Sequence, residues 1–134
     1  MSARTRGWTL LELLVVLALS AVMGAWSLDT YQQWRLRTQR AQARAALMAW
    51  SSWLEREALV RGSYPPVSQV PVALREPLGL AYRLEADVQS QSYRLRAVPL
   101  GAQRLDACAT LVLSSQGEMS TEGNAQKVSG CWGG

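Results

Sequence analysis

Gly7-Trp8-Thr9-Leu10-Leu11-Glu12, followed by the apolar run from Leu13 to Leu28, decides how this chain folds. Between Trp8 and Leu28 the only charge is Glu12. About 20 apolar residues span a bilayer core as a helix, so this stretch has membrane length. A carboxylate inside such a segment costs a few kcal/mol on insertion scales, and it marks a function with a partner. Ahead of it lies a short basic leader, Met1 to Gly7, carrying Arg4 and Arg6. If the chain is cut after Gly7, Trp8 becomes the amino terminus and Glu12 lies one helical turn on, on the same face. An ammonium group, its own or a neighbour's, is then the natural partner. A secretory signal peptide puts its charge before the apolar core and ends in a small-residue cut site. Here Glu12 sits inside the block, and Ala21 and Ala25 make no convincing cut site. A plain single-pass anchor explains the length and leaves Glu12 unexplained.

The order Gly7-Trp8-Thr9-Leu10-Leu11-Glu12, then Leu13-Leu14-Val15-Val16-Leu17-Ala18-Leu19, resembles the cleavage and assembly motif of type IV pilins and pseudopilins. The resemblance implies that a prepilin peptidase cuts after Gly7 and methylates the new amino terminus at Trp8. It implies that Glu12 aids assembly by pairing with the amino terminus of an adjacent subunit. Trp8 departs from the phenylalanine commonest at that position. The implied partners are the peptidase, other major and minor pilins, the inner-membrane assembly machinery and, before assembly, the lipid bilayer. The implied location is the inner membrane, head domain outside the cytoplasm, and then the pilus.

A chain of 134 residues allows one small domain plus a helix. Without leader and apolar segment, the remainder is near the lower end for a self-sufficient core. There are 14 basic and 10 acidic residues, and the leader takes two of the basic ones, so the excess is too small to point to nucleic acid. Histidine, the commonest general base and metal ligand, is absent. Lys127 and Ser129 lie in a Gly-, Ser- and Thr-rich tail, a poor catalytic setting. No Gly-rich phosphate loop follows a strand. The reading is no enzyme and no cofactor. Glu118, Glu122 and Asn124 could offer oxygens to calcium, but their spacing fits no EF-hand pattern, and a solvated loop reads better.

Gly24 is the only glycine, and no proline occurs, between the apolar run and Gly62, so one continuous helix can run through both. Ala18, Ala21, Gly24 and Ala25 would let helices approach closely. Type IV pilins often carry a proline near Asp29; this chain has none, so any loosening of the helix rests on Gly24. From Asp29 to Arg61, Leu36, Ala43, Leu47, Trp50, Leu54 and Ala58 form one stripe at helical spacing. That stripe reads as the face that packs on a sheet, with Trp34 and Trp53 off its centre. Arg35, Arg37, Arg40 and Arg44 make the densest basic patch, read as a solvated helix face or as a contact to subunits or lipid headgroups. The patch opposes the positive-inside rule, since more arginines follow the apolar run than precede it. The leader motif is taken as deciding the topology.

Gly62, Pro65 and Pro66 stop the helix. Val67 to Gly79, with Pro71 and Pro77, reads as an irregular connection. Leu80 to Asp87 and Ser92 to Ala97 alternate apolar and polar residues, with a turn between them, and Ala107 to Ser115 gives a third strand. The expectation is an α+β fold, pilin-like. A long N-terminal helix, half membrane-spanning and half amphipathic, packs on a small antiparallel sheet of three to four strands. The segments are a leader over 1–7, a transmembrane or filament-core helix over 8–28, an amphipathic helix over 29–61, and sheet plus tail over 62–134.

Cys108 and Cys131 are the only cysteines, and in an exported small domain they read as a disulfide. It stabilises by roughly 3 kcal/mol in the chain-entropy model. The run from Cys108 through Leu111, Leu113 and Gly117 to Cys131-Trp132 resembles the end of minor pilins, particularly PilE-type subunits. The resemblance implies an exposed, variable, disulfide-bounded surface. Together the two resemblances imply a minor pilin for assembly, priming or surface presentation in adhesion and motility. Arg83, Arg94 and Arg96 share the outer sheet face with Glu85 and Asp87. A DNA-uptake pilin would need a basic groove there; cross-strand ion pairs fit the interleaved acids better. The alternatives are a type II secretion pseudopilin, a DNA-binding competence pilin, and an anchored protein that never polymerises.

Overall fold

The computed structural model describes residues 9–123 and 128–133, without the side chains of residues 26–28. The proposed cut after Gly7 and methylation at Trp8 lie outside them, as do Asn124 and Lys127. One helix, α1, runs Leu10–Arg61. The chain divides after Arg35 into two compact units.

The first unit is helical from Leu10. Its leucines and valines point outward, from Leu10 and Leu11 to Val22, and none is buried. Among the described residues this is one helix long and apolar enough to cross a membrane. Ser20, a polar residue in the run, donates its hydroxyl to the Val16 carbonyl at 2.7 Å. Such back-bonding satisfies the hydroxyl without water. Past the apolar run, Tyr31 and Trp34 sit one turn apart with ring centroids 6.0 Å apart. Aromatic residues with a polar edge suit the headgroup level of a bilayer.

The second unit inverts this arrangement. Ala43, Leu47, Trp50 and Leu54 are buried, while Leu36 and Ala58 at the ends of the stripe are half-buried. Trp53 packs against the same core. The helix ends as the glycine requires: Gly62 adopts φ 78° and its N–H bonds to the Ala58 carbonyl at 2.8 Å. A left-handed glycine just past the last turn satisfies an otherwise orphan carbonyl. The connection that follows is more regular than its prolines suggest. A 3-10 turn at Val67–Gln69 starts after Pro66, and a short helix α2 at Val72–Arg75 starts after Pro71. Proline's fixed φ suits the residue entering a helical turn.

Four antiparallel strands follow in meander order: β1 Tyr82–Val88, β2 Tyr93–Pro99, β3 Thr110–Ser114 and β4 Met119–Glu122. Leu84 opposes Ala97 and Ala97 opposes Leu111, so the inward residues line up across three strands. They meet the helix stripe in one core with Tyr82, Tyr93, Leu95 and Leu113. β4 forms in the stretch read as a Gly-, Ser- and Thr-rich tail. Gly117, at φ 76°, turns the chain back, and the Ser114 hydroxyl accepts from the Glu118 N–H. A short helix α3, Val128–Trp132, closes the chain. Cys131 on α3 is bonded to Cys108 with Cα atoms 5.6 Å apart, and both are buried. Trp132 is buried beside them and donates its indole N–H to the Ser120 carbonyl at 2.9 Å.

Candidate assembly site and charged surfaces

Glu12 stands in the first turn of α1. Thr9 caps that turn: its hydroxyl accepts from the Glu12 N–H at 3.3 Å, and its carbonyl accepts from the Leu13 N–H at 3.2 Å. Thr9-x-x-Glu12 is therefore a helix-start pattern in which the acid sits near the positive end of the helix dipole. The sequence carried this signal, and the reading that weighed only membrane cost overlooked it. The carboxylate thus has a favourable local setting before any partner arrives.

The four arginines of the basic patch divide into two kinds. Arg35 and Arg37 are exposed. Arg40 is not a solvated side chain, because its guanidinium pairs with Asp106 at 3.1 Å and contacts the Cys108 sulfur. Arg44 donates to the Trp132 carbonyl, the last turn of α3. Half of the patch is thereby committed to fastening the disulfide-linked end to the helix.

The polar knot around Arg40 was not visible in the sequence. Gln103 and Asp106 are 4% and 7% exposed, buried among apolar residues. Asp106 accepts from Arg40, from the Cys108 N–H at 3.0 Å, from the Tyr82 hydroxyl at 3.2 Å and from Gln103 at 3.0 Å. Gln103 also reaches the Leu36 carbonyl at 3.0 Å. A buried charge is tolerated when it is paired and fully hydrogen-bonded, as here. Burial pushes the Tyr82 hydroxyl up to about 12, with the Gln103 bond acting against the shift and Asp106 adding to it. The one sequence signal was an acid two residues before a half-cystine, in what read as a plain connection.

At the other end of the helix, Glu55 accepts from the hydroxyls of Tyr93 at 2.8 Å and Tyr64 at 3.0 Å. The two rings meet edge to face with centroids 4.9 Å apart. Burial, relieved in part by the Ser51 bond and reinforced by Glu55, pushes Tyr93 up to about 12.

On the outer sheet face the acids and bases pair. Arg83 bonds Glu85 at 2.8 Å, and Arg96 reaches across β3 to Glu122 at 3.2 Å. Arg94 stands opposite Asp87 in the register. The face is charge-balanced, and it is no basic groove. Arg94 also borders a polar cleft at the end of the sheet, with Gln89, Ser92, Ser114, Gln116 and Glu118. Among the described residues no three His, Cys, Asp or Glu side chains cluster closely enough to hold a metal ion. Glu122 is engaged by Arg96, and Ser129 is exposed on α3.

Against known proteins, no curated entry matches the chain significantly. Among solved structures, a type IV pilin from Shewanella oneidensis matches with a TM-score of 0.54 and 24% identity, over 69% of this chain and 98% of that one. That likeness carries the fold: a long N-terminal helix on an antiparallel sheet. A family model described as "Type IV minor pilin ComP, DNA uptake sequence receptor" matches residues 30–112, from the amphipathic helix through β3. The chain belongs to this family of type IV minor pilins.

Proposed function

We propose that this minor pilin is cut after Gly7 by a prepilin peptidase, methylated at Trp8, and held in the inner membrane by segment 8–28 before it enters a pilus. The observation that carries the reading is the first unit of α1: every described leucine and valine in it faces outward, with one carboxylate in its first turn. Such a surface needs lipid or other helices around it, and bundled apolar helices supply the same covering as lipid. Glu12 then pairs with the amino terminus of an adjacent subunit. In that low-dielectric setting a paired charge helps fix register. The test is the intact mass of the protein from cells with and without the peptidase. Loss of Met1 to Gly7 plus one methyl group supports the reading, and an uncut chain in the presence of the peptidase sinks it.

A second reading concerns the head. The family description, a DNA uptake sequence receptor, supports a head that binds duplex DNA at the filament surface. The polar cleft at the sheet end favours this over the charge-balanced sheet face, because Arg94 lies there with Gln89 and Gln116. Arginine and glutamine are the side chains that read guanine and adenine edges bidentately. Binding that weakens steeply with salt, and loses sequence preference in Arg94→Ala, supports it. Binding that is indifferent to both removes it.

A further inference from the structure

We infer that the foot of the head docks on the anionic headgroups of the bilayer that holds its own anchor, through Arg37, Arg104 and Leu105. The 3-10 turn Gly101–Leu105 is pinned to the helix at both sides of its exposed lip. On one side Gln103 is buried and donates to the Leu36 carbonyl at 3.0 Å. On the other, Asp106 is buried and pairs with Arg40 at 3.1 Å. Arg104 and Leu105, between these two anchors, are turned outward, and Leu105 is 79% exposed. Arg37, next to the pinned Leu36, is exposed as well.

The second unit thus presents two arginines and a leucine at the start of its helix, on a turn held rigid by buried polar bonds. Asp106, whose charge could cancel them, is already committed to Arg40. A leucine flanked by arginines suits the headgroup boundary, where the apolar side chain enters and the cations meet phosphate. The apolar run ends at Leu28, eight residues before Leu36, so the chain itself keeps this lip near a membrane surface. Duplex DNA offers the same phosphate chemistry, but it gives no reason for an exposed leucine between the anchors. The inference rests on reading segment 8–28 as a bilayer anchor.

The test uses the full chain in two kinds of vesicle, phosphatidylcholine alone and a mixture rich in phosphatidylglycerol, and follows amide hydrogen exchange over residues 101–105. A basic side chain near an anionic surface contributes roughly fivefold in binding, so two arginines predict slower exchange in the anionic vesicles by about an order of magnitude. Salt, or the double variant Arg37→Gln/Arg104→Gln, removes the difference. Exchange across β2 and β3 serves as the folding control, and Arg104→Gln alone is the fallback if the double variant fails it. Equal exchange in both vesicles overturns the inference. Slowing by added duplex DNA on neutral vesicles, without slowing by anionic lipid, assigns the lip to DNA and overturns it too. A chain that floats with neither vesicle overturns the anchor reading, and the docking with it.

Discussion

Helix α1 does two opposite things with leucine. Before Arg35, Leu10, Leu11, Leu17 and Leu19 all point outward. After it, Leu47 and Leu54 are wholly buried. The backbone conformation is the same throughout. What differs is the pattern: apolar on every side in the first unit, one stripe of apolar residues in the second. An all-round apolar helix has no inside of its own and needs an apolar surround, whereas a striped helix is completed by one sheet. The stability of the head therefore resides in the second unit, and assembly chemistry falls to the first.

The sharpest way to break that division is Trp50→Ala. Trp50 is 1% exposed at the centre of the stripe, and truncating such a side chain costs about 3–5 kcal/mol. The same truncation at Leu17 leaves the melting of the head unchanged. Denaturant unfolding followed by head fluorescence reads both. Trp50→Phe is far milder, because the buried indole N–H has no partner to lose. Next comes Cys131→Ser. The Cys108–Cys131 bond closes a sequence separation of 23 and contributes about 3 kcal/mol. Its loss also frees Trp132, so the variant shows faster exchange in β4 and unchanged membrane retention.

Alkaline titration sharpens the contrast further. Tyr82 and Tyr93 have their hydroxyls raised from 10.0 to about 12, chiefly by burial. A raised folded value means the neutral form is favoured in the fold. That contribution is complete below about pH 10 and is lost as pH climbs through 12. Thermal unfolding of the head falls across that window, and Tyr93→Phe removes part of the fall. The smallest effect belongs to Thr9→Ala, which removes the cap of the first unit. It costs about 1 kcal/mol at that end, read as faster exchange at residues 10–13 in lipid with no change in head melting.

The sequence made much of this legible because both periodicities are clean. The stripe of Ala43, Leu47, Trp50 and Leu54 and the alternation in Tyr82-Arg83-Leu84-Glu85 are local signals that tertiary packing left intact. Gly62 and the prolines marked the helix end for equally local reasons. What escaped were long-range polar contacts. Arg40 and Arg44 look like any solvated helix arginines until Asp106 and the Trp132 carbonyl, more than sixty residues away, fold onto them. β4 escaped because Met119-Ser120-Thr121-Glu122 has little pattern of its own and gains strand form by pairing with β3. At Glu12 the signal was present: Thr9 and Glu12 already spell a helix start, beside the assembly role proposed for the carboxylate.

The central claim is that the first unit carries assembly through Glu12, independently of the folded head. The most direct measurement compares the wild-type chain with Glu12→Gln in cells, quantifying each in sheared pili and in the membrane fraction. The account predicts that the variant stays in the membrane with its disulfide intact, and that its amount in pili drops by an order of magnitude or more. Equal incorporation of the two chains would contradict it, and would leave Glu12 as nothing beyond a helix-start residue.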